Sequence, residues 1–341
     1  MLLLMKSLSR LLRTCFCAWI FSLLVSANSQ VFLWSQSSGG RGDNSKALNR
    51  SGTIASEQEN ARILLLEDIQ SGHLAEAIGR GREFAARWPN VGEIHHLLGL
   101  AYFKSQQSAL AVDELRKAEN LEPSSPDIPF DLALVFLSQA EYAAAAPELE
   151  KSVKFKPNNV IAHILLGRTY QNTNRTLQAV DEFKIAVRID PSVSLGHYHL
   201  GFAYGSLGLN ERAIREYKKE IERSPSNPDV LYQLGHTLLE SGELKSAQAY
   251  LQRASEVDPQ NADALYDLGK AILLGGDAKT AITRLQRSAA LKPSDPGPHF
   301  QLAKAFDRLG RAEDARQERQ RFAELKKAQA QSGGMASGRT Q

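Results

Sequence analysis

The chain has 341 residues, of which 43% are hydrophobic and 23% are charged, and this balance excludes a mostly disordered protein. Its 41 basic and 38 acidic residues leave a formal net charge of +3. Lys6, Arg10 and Arg13 lie in the first 27 residues, which contain no acidic residue, so the rest of the chain has 38 residues of each sign. This neutral remainder argues against nucleic acid or anionic lipid as a partner, because both attract positively charged proteins.

Residues 1–27 have the composition of a secretory signal peptide. The basic residues precede an apolar run from Cys15 to Val25, and Val25-Ser26-Ala27 fits a signal peptidase site, so we expect cleavage after Ala27. The alternative is an uncleaved N-terminal membrane anchor, but the run is shorter than the ~20 residues that a span needs. On either interpretation the rest of the chain is exported. With the signal cleaved, we expect a periplasmic or secreted protein without a membrane span.

The only cysteines, Cys15 and Cys17, lie in this segment, so the mature chain has no thiol for a disulfide, a metal site or a nucleophile. Residues 28–56 are rich in Ser, Gly, Asn and Gln without apolar periodicity, which predicts a flexible linker. Within it, Arg41-Gly42-Asp43 spells an adhesion tripeptide, which arises easily by chance in such a segment. At the other end, residues 330–341 contain Gly and Ser in the same manner and predict a disordered tail.

Residues 92–329 consist of seven tandem repeats of 34 residues. Prolines recur at this interval without insertion or deletion, at Pro89, Pro123, Pro157, Pro191, Pro225, Pro259 and Pro293. The repeats begin at Gly92, Pro126, Val160, Ser194, Pro228, Ala262 and Pro296, and positions within a repeat are called places one to thirty-four. Place seven is always leucine, place eight is glycine or alanine, and place twenty is always alanine. So strict a repeat indicates a solenoid of stacked units.

Each recurring place has a physical reason in a pair of antiparallel helices. Glycine or alanine at place eight faces alanine at place twenty, so the two helices can approach closely. Leucine at place seven fills the space between neighbouring repeats, and the proline at place thirty-two ends the second helix. The turn between the helices is supplied in the later repeats by Gly208, Gly242, Gly276 and Gly310. Because no two-residue alternation is sustained between residues 57 and 329, we predict an all-α fold.

This pattern resembles the tetratricopeptide repeat family, whose motif has Leu-Gly at places seven and eight, Tyr at eleven, Ala at twenty and Pro at thirty-two. Residues 57–91 keep Gly72, Ala77 and Pro89 in register but lack the Leu-Gly pair, so they are identified as a degenerate first repeat. The last repeat becomes polar towards Lys327, as an exposed capping helix does. The resemblance implies a right-handed α-solenoid of antiparallel helix pairs, with the first helices lining a concave groove.

The resemblance also implies where a partner binds, because places five, nine and thirteen of the first helices face this groove in related proteins. Aromatic side chains occupy place five at Phe130, Tyr198, Tyr232, Tyr266 and Phe300. Polar or cationic side chains occupy places nine and thirteen at Arg168, Asn172, His236, Lys270, Lys304 and Arg308. The rings could anchor a peptide or a helix of a partner protein. Alternatively, they pack between neighbouring first helices.

We expect no catalysis, no cofactor and no bound metal. His95, His163, His197 and His299 share place four, but stacked first helices hold them too far apart to bind one ion. The chain also lacks a phosphate-binding loop and a serine nucleophile motif.

The sequence therefore predicts a non-catalytic protein-interaction scaffold outside the cytoplasm. Envelope assembly, secretion and polysaccharide export are the processes in which exported members of this family are common. The alternative is an accessory subunit that binds glycan or cell-wall material for a separate enzyme.

Overall fold

A computed structural model describes the backbone of residues 45–337 and the side chains of residues 54–331. The predicted signal peptide, the linker up to residue 44 with its Arg41-Gly42-Asp43 sequence, and residues 338–341 lie outside the described residues. All regular secondary structure in the described part is helical, and the helices are joined in pairs by tight turns. This confirms the all-α fold of antiparallel helix pairs. The chain divides after Asn174 into two compact units, here called the N-terminal and the C-terminal unit.

The N-terminal unit contains seven helices in its described part. Their bounds are α1 Ser45–Gln70, α2 Leu74–Arg87, α3 Gly92–Lys104, α4 Ser108–Leu121, α5 Asp127–Ser138, α6 Tyr142–Phe155 and α7 Val160–Asn172. Helix α1 pairs with α2, α3 with α4 and α5 with α6, and successive pairs pack on each other. The degenerate first repeat therefore forms a helix pair like the repeats that follow it.

The C-terminal unit contains nine helices in its described part. Their bounds are α8 Thr176–Ile189, α9 Gly196–Ser206, α10 Asn210–Arg223, α11 Pro228–Glu240, α12 Leu244–Val257, α13 Ala262–Leu274, α14 Ala278–Leu291, α15 Pro296–Arg308 and α16 Ala312–Ser337. Helix α8 packs on α9, and the remaining helices form the pairs α9–α10, α11–α12, α13–α14 and α15–α16. The first helices α9, α11, α13 and α15 also contact one another in turn.

Small residues at place eight allow the two helices of a repeat to cross closely. A Cβ atom added to Gly99 would lie 3.3 Å from the carbonyl oxygen of Ala111 at place twenty and 2.7 Å from Cγ of Leu115. In a later repeat, a Cβ atom on Gly269 would lie 2.6 Å from Cγ of Leu285. The predicted crossing between places eight and twenty is therefore present, and the leucine at place twenty-four closes over it.

The turn inside each repeat has a left-handed residue at place fifteen. Glycine occupies this place at Gly72, Gly208, Gly242, Gly276 and Gly310, each with positive φ. Three repeats use other residues in the same conformation, namely Gln106, Ala140 and Asn174. The turn is thus the same in all repeats, although only some of them have the residue type that favours it.

Two helices extend beyond the boundaries expected from the sequence. Helix α1 begins at Ser45, inside the predicted linker of residues 28–56, and α16 continues to Ser337, inside the predicted tail of residues 330–341. Neither helix contains a proline, and Ala, Gln and Lys between residues 326 and 331 favour helix, whereas Ser332-Gly333-Gly334 does not. The low apolar content of the predicted linker and tail therefore did not mark where α1 begins or where α16 ends.

Candidate functional site

Eight of the predicted partner-binding residues lie together on the C-terminal unit. Tyr198, Tyr232, Tyr266 and Phe300 stand on α9, α11, α13 and α15, one ring on each of four first helices that contact their neighbours. With His236, Lys270, Lys304 and Arg308 at places nine and thirteen, they define what we call the first-helix face. The other three predicted residues, Phe130, Arg168 and Asn172, belong to the N-terminal unit.

The rings of the first-helix face pack against their own unit but are not fully covered. Tyr198 lies with its ring centre 6.1 Å from that of Tyr217, and a Cβ atom added to Gly297 would lie 3.3 Å from Cε2 of Tyr266. Phe300 is 43% exposed. The rings therefore pack between helices and still present an exposed edge, and their binding of a partner stays a prediction.

His236 is held by a carboxylate from the next repeat. Its Nδ1 lies 2.7 Å from Oδ2 of Asp267, a residue that is 4% exposed, and its ring centre lies 5.9 Å from that of Tyr232. The hydrogen bond with Asp267 raises the pKa of His236. Burial, reinforced by the same carboxylate, raises the pKa of Tyr232, which therefore stays a neutral hydroxyl. These three side chains form a polar cluster inside the first-helix face.

The cations of this face differ in how far they are already used. Nζ of Lys270 lies 3.3 Å from Oε1 of Glu240, and Arg308 donates to the carbonyl oxygen of Leu273 near the end of α13. Nζ of Lys304 lies 4.3 Å from the ring centre of Phe300, and no carboxylate of the described residues pairs with it. Lys304 is therefore the cation best placed to meet a ligand.

The three predicted residues of the N-terminal unit do not form a comparable cluster. Phe130 is half-buried on α5, and Arg168 is half-buried on α7. The side-chain amide of Asn172 donates to the carbonyl oxygen of Arg168 in its own helix, at 2.9 Å. Asn172 thus supports the end of α7.

An ion pair that the sequence did not reveal joins two first helices of this unit. Nε2 of His96, at place five, lies 2.6 Å from Oδ2 of Asp131 in the next repeat, and their side chains are 17% and 13% exposed. Burial disfavours the charged imidazole, but the hydrogen bond and charge of Asp131 outweigh burial and raise the pKa of His96. The signal in the sequence is an acid at place six of the following repeat, 35 residues after the histidine.

The His96–Asp131 pair predicts a pH dependence of stability. The pKa of His96 is raised in the folded state. The stability that the His96–Asp131 pair contributes is therefore complete below the unfolded pKa of about 6.5 and is lost as the pH rises through the folded pKa. We expect His96→Gln to lower the thermal unfolding midpoint at pH 6 and to have a smaller effect at pH 9. His73→Gln, at an exposed histidine, is the control. An effect of His96→Gln that is equal at both pH values would contradict the assignment.

The place-four histidines are paired within their own repeats. Nδ1 lies 2.6 Å from Glu114 for His95, 2.7 Å from Glu216 for His197 and 2.6 Å from Glu318 for His299. Each glutamate follows its histidine by nineteen residues, a spacing that is visible in the sequence. These histidines therefore connect the first and second helices of a repeat. The fourth member of the column, His163, lies with Nε2 2.9 Å from the carbonyl oxygen of Pro157.

Among residues 54–331, no group of three or more His, Cys, Asp or Glu side chains is arranged to hold a metal ion. None of the described helices combines the length and the hydropathy of a membrane-spanning segment.

Comparison with known proteins places the repeats in a family. One tetratricopeptide repeat model matches residues 130–194 and 232–297, and a second matches residues 92–125 and 196–227. Together they cover more than half of the chain. No curated protein sequence matches significantly.

Solved structures share the fold at low sequence identity. PilF of Pseudomonas aeruginosa is 22% identical with a TM-score of 0.53, covering 62% of this chain and 97% of its own. YrrB, described as a tetratricopeptide repeat protein with an unusual peptide-binding site, is 19% identical with a TM-score of 0.48, covering 52% and 91%. MamA is 23% identical with a TM-score of 0.47, covering 49% and 97%.

Proposed function

Because this chain belongs to the tetratricopeptide repeat family, whose fold is that of a protein-interaction scaffold, we propose that it holds a peptide or a helix of a partner protein against the first-helix face. The observation that carries the proposal is the row of rings at place five. Four consecutive first helices that contact each other present one ring each, and the ring at the end of the row, Phe300, is 43% exposed. Exposed aromatic side chains are common anchors at protein interfaces.

The spacing of the rings limits the partner. Packed helices lie about 8–10 Å apart, and an extended chain advances about 3.3 Å per residue. An extended partner would therefore present an apolar side chain about every third residue. A helical partner advances about 1.5 Å per residue and would need anchors about six residues apart.

The charge of this face indicates which end of the partner should be acidic. Lys304 stacks on the exposed ring of Phe300 without a carboxylate partner among the described residues, and Lys270 stands at the same place one repeat earlier. An acidic group of the partner near its last apolar anchor would complement Lys304. His236 and Arg308 contribute hydrogen-bonding groups that are already engaged.

We place this binding outside the cytoplasm, in envelope assembly, secretion or polysaccharide export. Support comes from the predicted signal peptide of residues 1–27 and from the repeat family. The assigned role is non-catalytic, since proteins of this family act generally as scaffolds.

The proposal is tested with short random peptides displayed on phage and selected on the immobilised protein. A selected peptide, labelled with a fluorophore, is then titrated with purified variants, and its dissociation constant is measured by anisotropy. We expect Phe300→Ser and Lys304→Glu each to weaken binding by about ten-fold or more, because an anchor ring or its adjacent charge is lost.

Phe155→Ser is the matched control, since Phe155 is 44% exposed but lies on a second helix of the N-terminal unit. It should bind the peptide as the wild type does. Selected peptides that bind all four proteins equally would refute the assigned face. Retention of cell-wall glycan, with no peptide selected, would favour the glycan-binding alternative.

A further inference from the structure

A pocket on the other side of the repeats lies outside the proposed site. It has a volume of about 530 Å³, is open to solvent and lies in the N-terminal unit between the second helices α2 and α4, with α3 as its floor. Apolar parts of its wall come from Ala85, Ala86, Pro89, Leu98 and Leu121. Its polar wall consists of Arg82, His95, Glu114, Lys117 and Asn120.

Most of the charge in this wall is already paired. Oε2 of Glu114 lies 2.6 Å from Nδ1 of His95, and Oε1 lies 2.8 Å from Nζ of Lys117. Partial burial disfavours the carboxylate, but these two hydrogen bonds outweigh burial and lower the pKa of Glu114. Both oxygens of Glu114 are therefore engaged, and the carboxylate is not available to a further cation.

Arg82 is the charged residue of the pocket wall that has no ion-pair partner among the described residues. Its Nε donates to the hydroxyl of Tyr102 at 2.6 Å, and its guanidinium carbon lies 5.6 Å from the centre of the same ring. No carboxylate of the described residues forms an ion pair with it, so its remaining N–H groups have no anionic acceptor at the pocket.

The next cleft, between α4 and α6, shows what the first one lacks. Arg116 occupies the same place as Arg82, one repeat later, and its Nη1 lies 2.6 Å from Oε2 of Glu119 and 2.8 Å from Oε1 of Glu148. Lys151 joins the same two carboxylates, at 2.6 Å and 3.1 Å. Ala85 is the residue of the first cleft that corresponds to Glu119, at place twenty-eight. At place twenty-eight, the cleft that contains the pocket therefore has a methyl group, whereas the next cleft has a carboxylate.

We propose that this pocket binds the side-chain carboxylate of a glutamate residue from a partner protein, which occupies next to Arg82 the position that Glu119 fills next to Arg116. The guanidinium offers parallel N–H groups that match a carboxylate. The methylene groups of the ligand and its apolar neighbours contact Leu98, Leu121 and Pro89. This surface belongs to second helices of the N-terminal unit, so its partner contact is independent of the first-helix face.

The test uses the blocked peptide acetyl-Leu-Glu-Leu-amide and its glutamine analogue as probes. Each is titrated into the full chain, with methyl groups labelled for NMR, and shifts are followed at Ala85, Leu98 and Leu121. We expect the glutamate peptide to shift these signals and to bind about ten-fold more tightly than the glutamine peptide, because only the carboxylate forms a charge-assisted pair with Arg82.

Two variants test the pocket, one by removing its cation and the other by adding a carboxylate. Arg82→Gln should reduce the affinity for the glutamate peptide to that for the glutamine peptide, and Ala85→Glu should abolish binding by supplying the carboxylate from within. Arg212→Gln is the matched control, because Arg212 also stacks on a place-eleven tyrosine, with its guanidinium carbon 5.7 Å from the ring centre of Tyr204.

Circular dichroism will show whether each variant is folded. Because Arg82 is exposed, we expect Arg82→Gln to fold and to test the proposal even if Ala85→Glu does not fold. Phe300→Ser should leave the methyl shifts unchanged, which separates this site from the proposed scaffold function. Equal binding of the two peptides, or undiminished binding to Arg82→Gln, would overturn the assignment.

Discussion

Gly269→Val is expected to lower the free energy of unfolding by about 3 kcal/mol. Even the first added atom, Cβ, would lie 2.6 Å from Cγ of Leu285, and valine adds two further methyl groups at this crossing. Leu285 is fully buried among the helices of the last repeats and cannot turn away. The helices α13 and α14 would have to separate, which would loosen the core that they share with α15 and α16.

Gly269→Ala is the matched control. Place eight is alanine at Ala133, whose repeat also has leucine at place twenty-four, so the crossing tolerates one methyl group. Alanine also favours helix over glycine by about 1 kcal/mol, which offsets the closer contact. Urea denaturation followed by circular dichroism measures both variants, and hydrogen exchange shows whether α13 to α16 open first. Equal stability of the valine variant and the wild type would refute the close crossing.

Arg116→Leu is expected to destabilise the N-terminal unit by about 3 kcal/mol or more, because it removes one of the cations that compensate a buried carboxylate. Glu148 is 2% exposed, and Arg116 lies 2.8 Å from its Oε1. The remaining cation, Lys151, also serves Glu119 and is itself 45% exposed. Glu148 would then be buried with too little positive charge beside it.

The double variant Arg116→Leu/Glu148→Leu should recover part of the lost stability, because it removes the carboxylate along with its partner. Lys156→Leu is the control for an exposed pair, since Lys156 and Asp127 are 55% and 63% exposed, and a change below about 1 kcal/mol is expected. Unfolding midpoints in urea provide the comparison. A double variant that is less stable than Arg116→Leu alone would show that Glu148 has another role.

The repeat register predicted most of the fold because the same packing problem is solved in every repeat. Leucine at place seven, alanine at place twenty and proline at place thirty-two each have a local cause, so counting along the chain was enough to find the helix pairs. The helix ends at Ser45 and Ser337 were not predicted, because the Ser- and Gly-rich composition around them, as in Ser332-Gly333-Gly334, is typical of linkers. The aromatic residues of the first-helix face were predicted for the same reason as the helices, because they recur at place five of the repeats.

Contacts between repeats decide which polar side chains already have a hydrogen-bond partner. His236 is bound by Asp267, and Arg308 by the carbonyl oxygen of Leu273, and in each case the partner lies 31 or more residues away in another helix. A side chain's own place in the repeat does not state which group the neighbouring repeat offers it. Sequence reasoning therefore identified a cationic column but not that Lys304 is the member still available.

The fold of this chain follows from its sequence because packing repeats at a fixed interval, whereas the surfaces proposed to bind partners depend on where the repeats differ. Ala85 and Glu119 occupy the same place, and only the folded clefts show that the first lines a pocket beside Arg82 while the second pairs with Arg116. The physical reason is that a side chain's availability is set by the charges and volumes that neighbouring helices bring to it. Those neighbours are assembled only when the repeats stack.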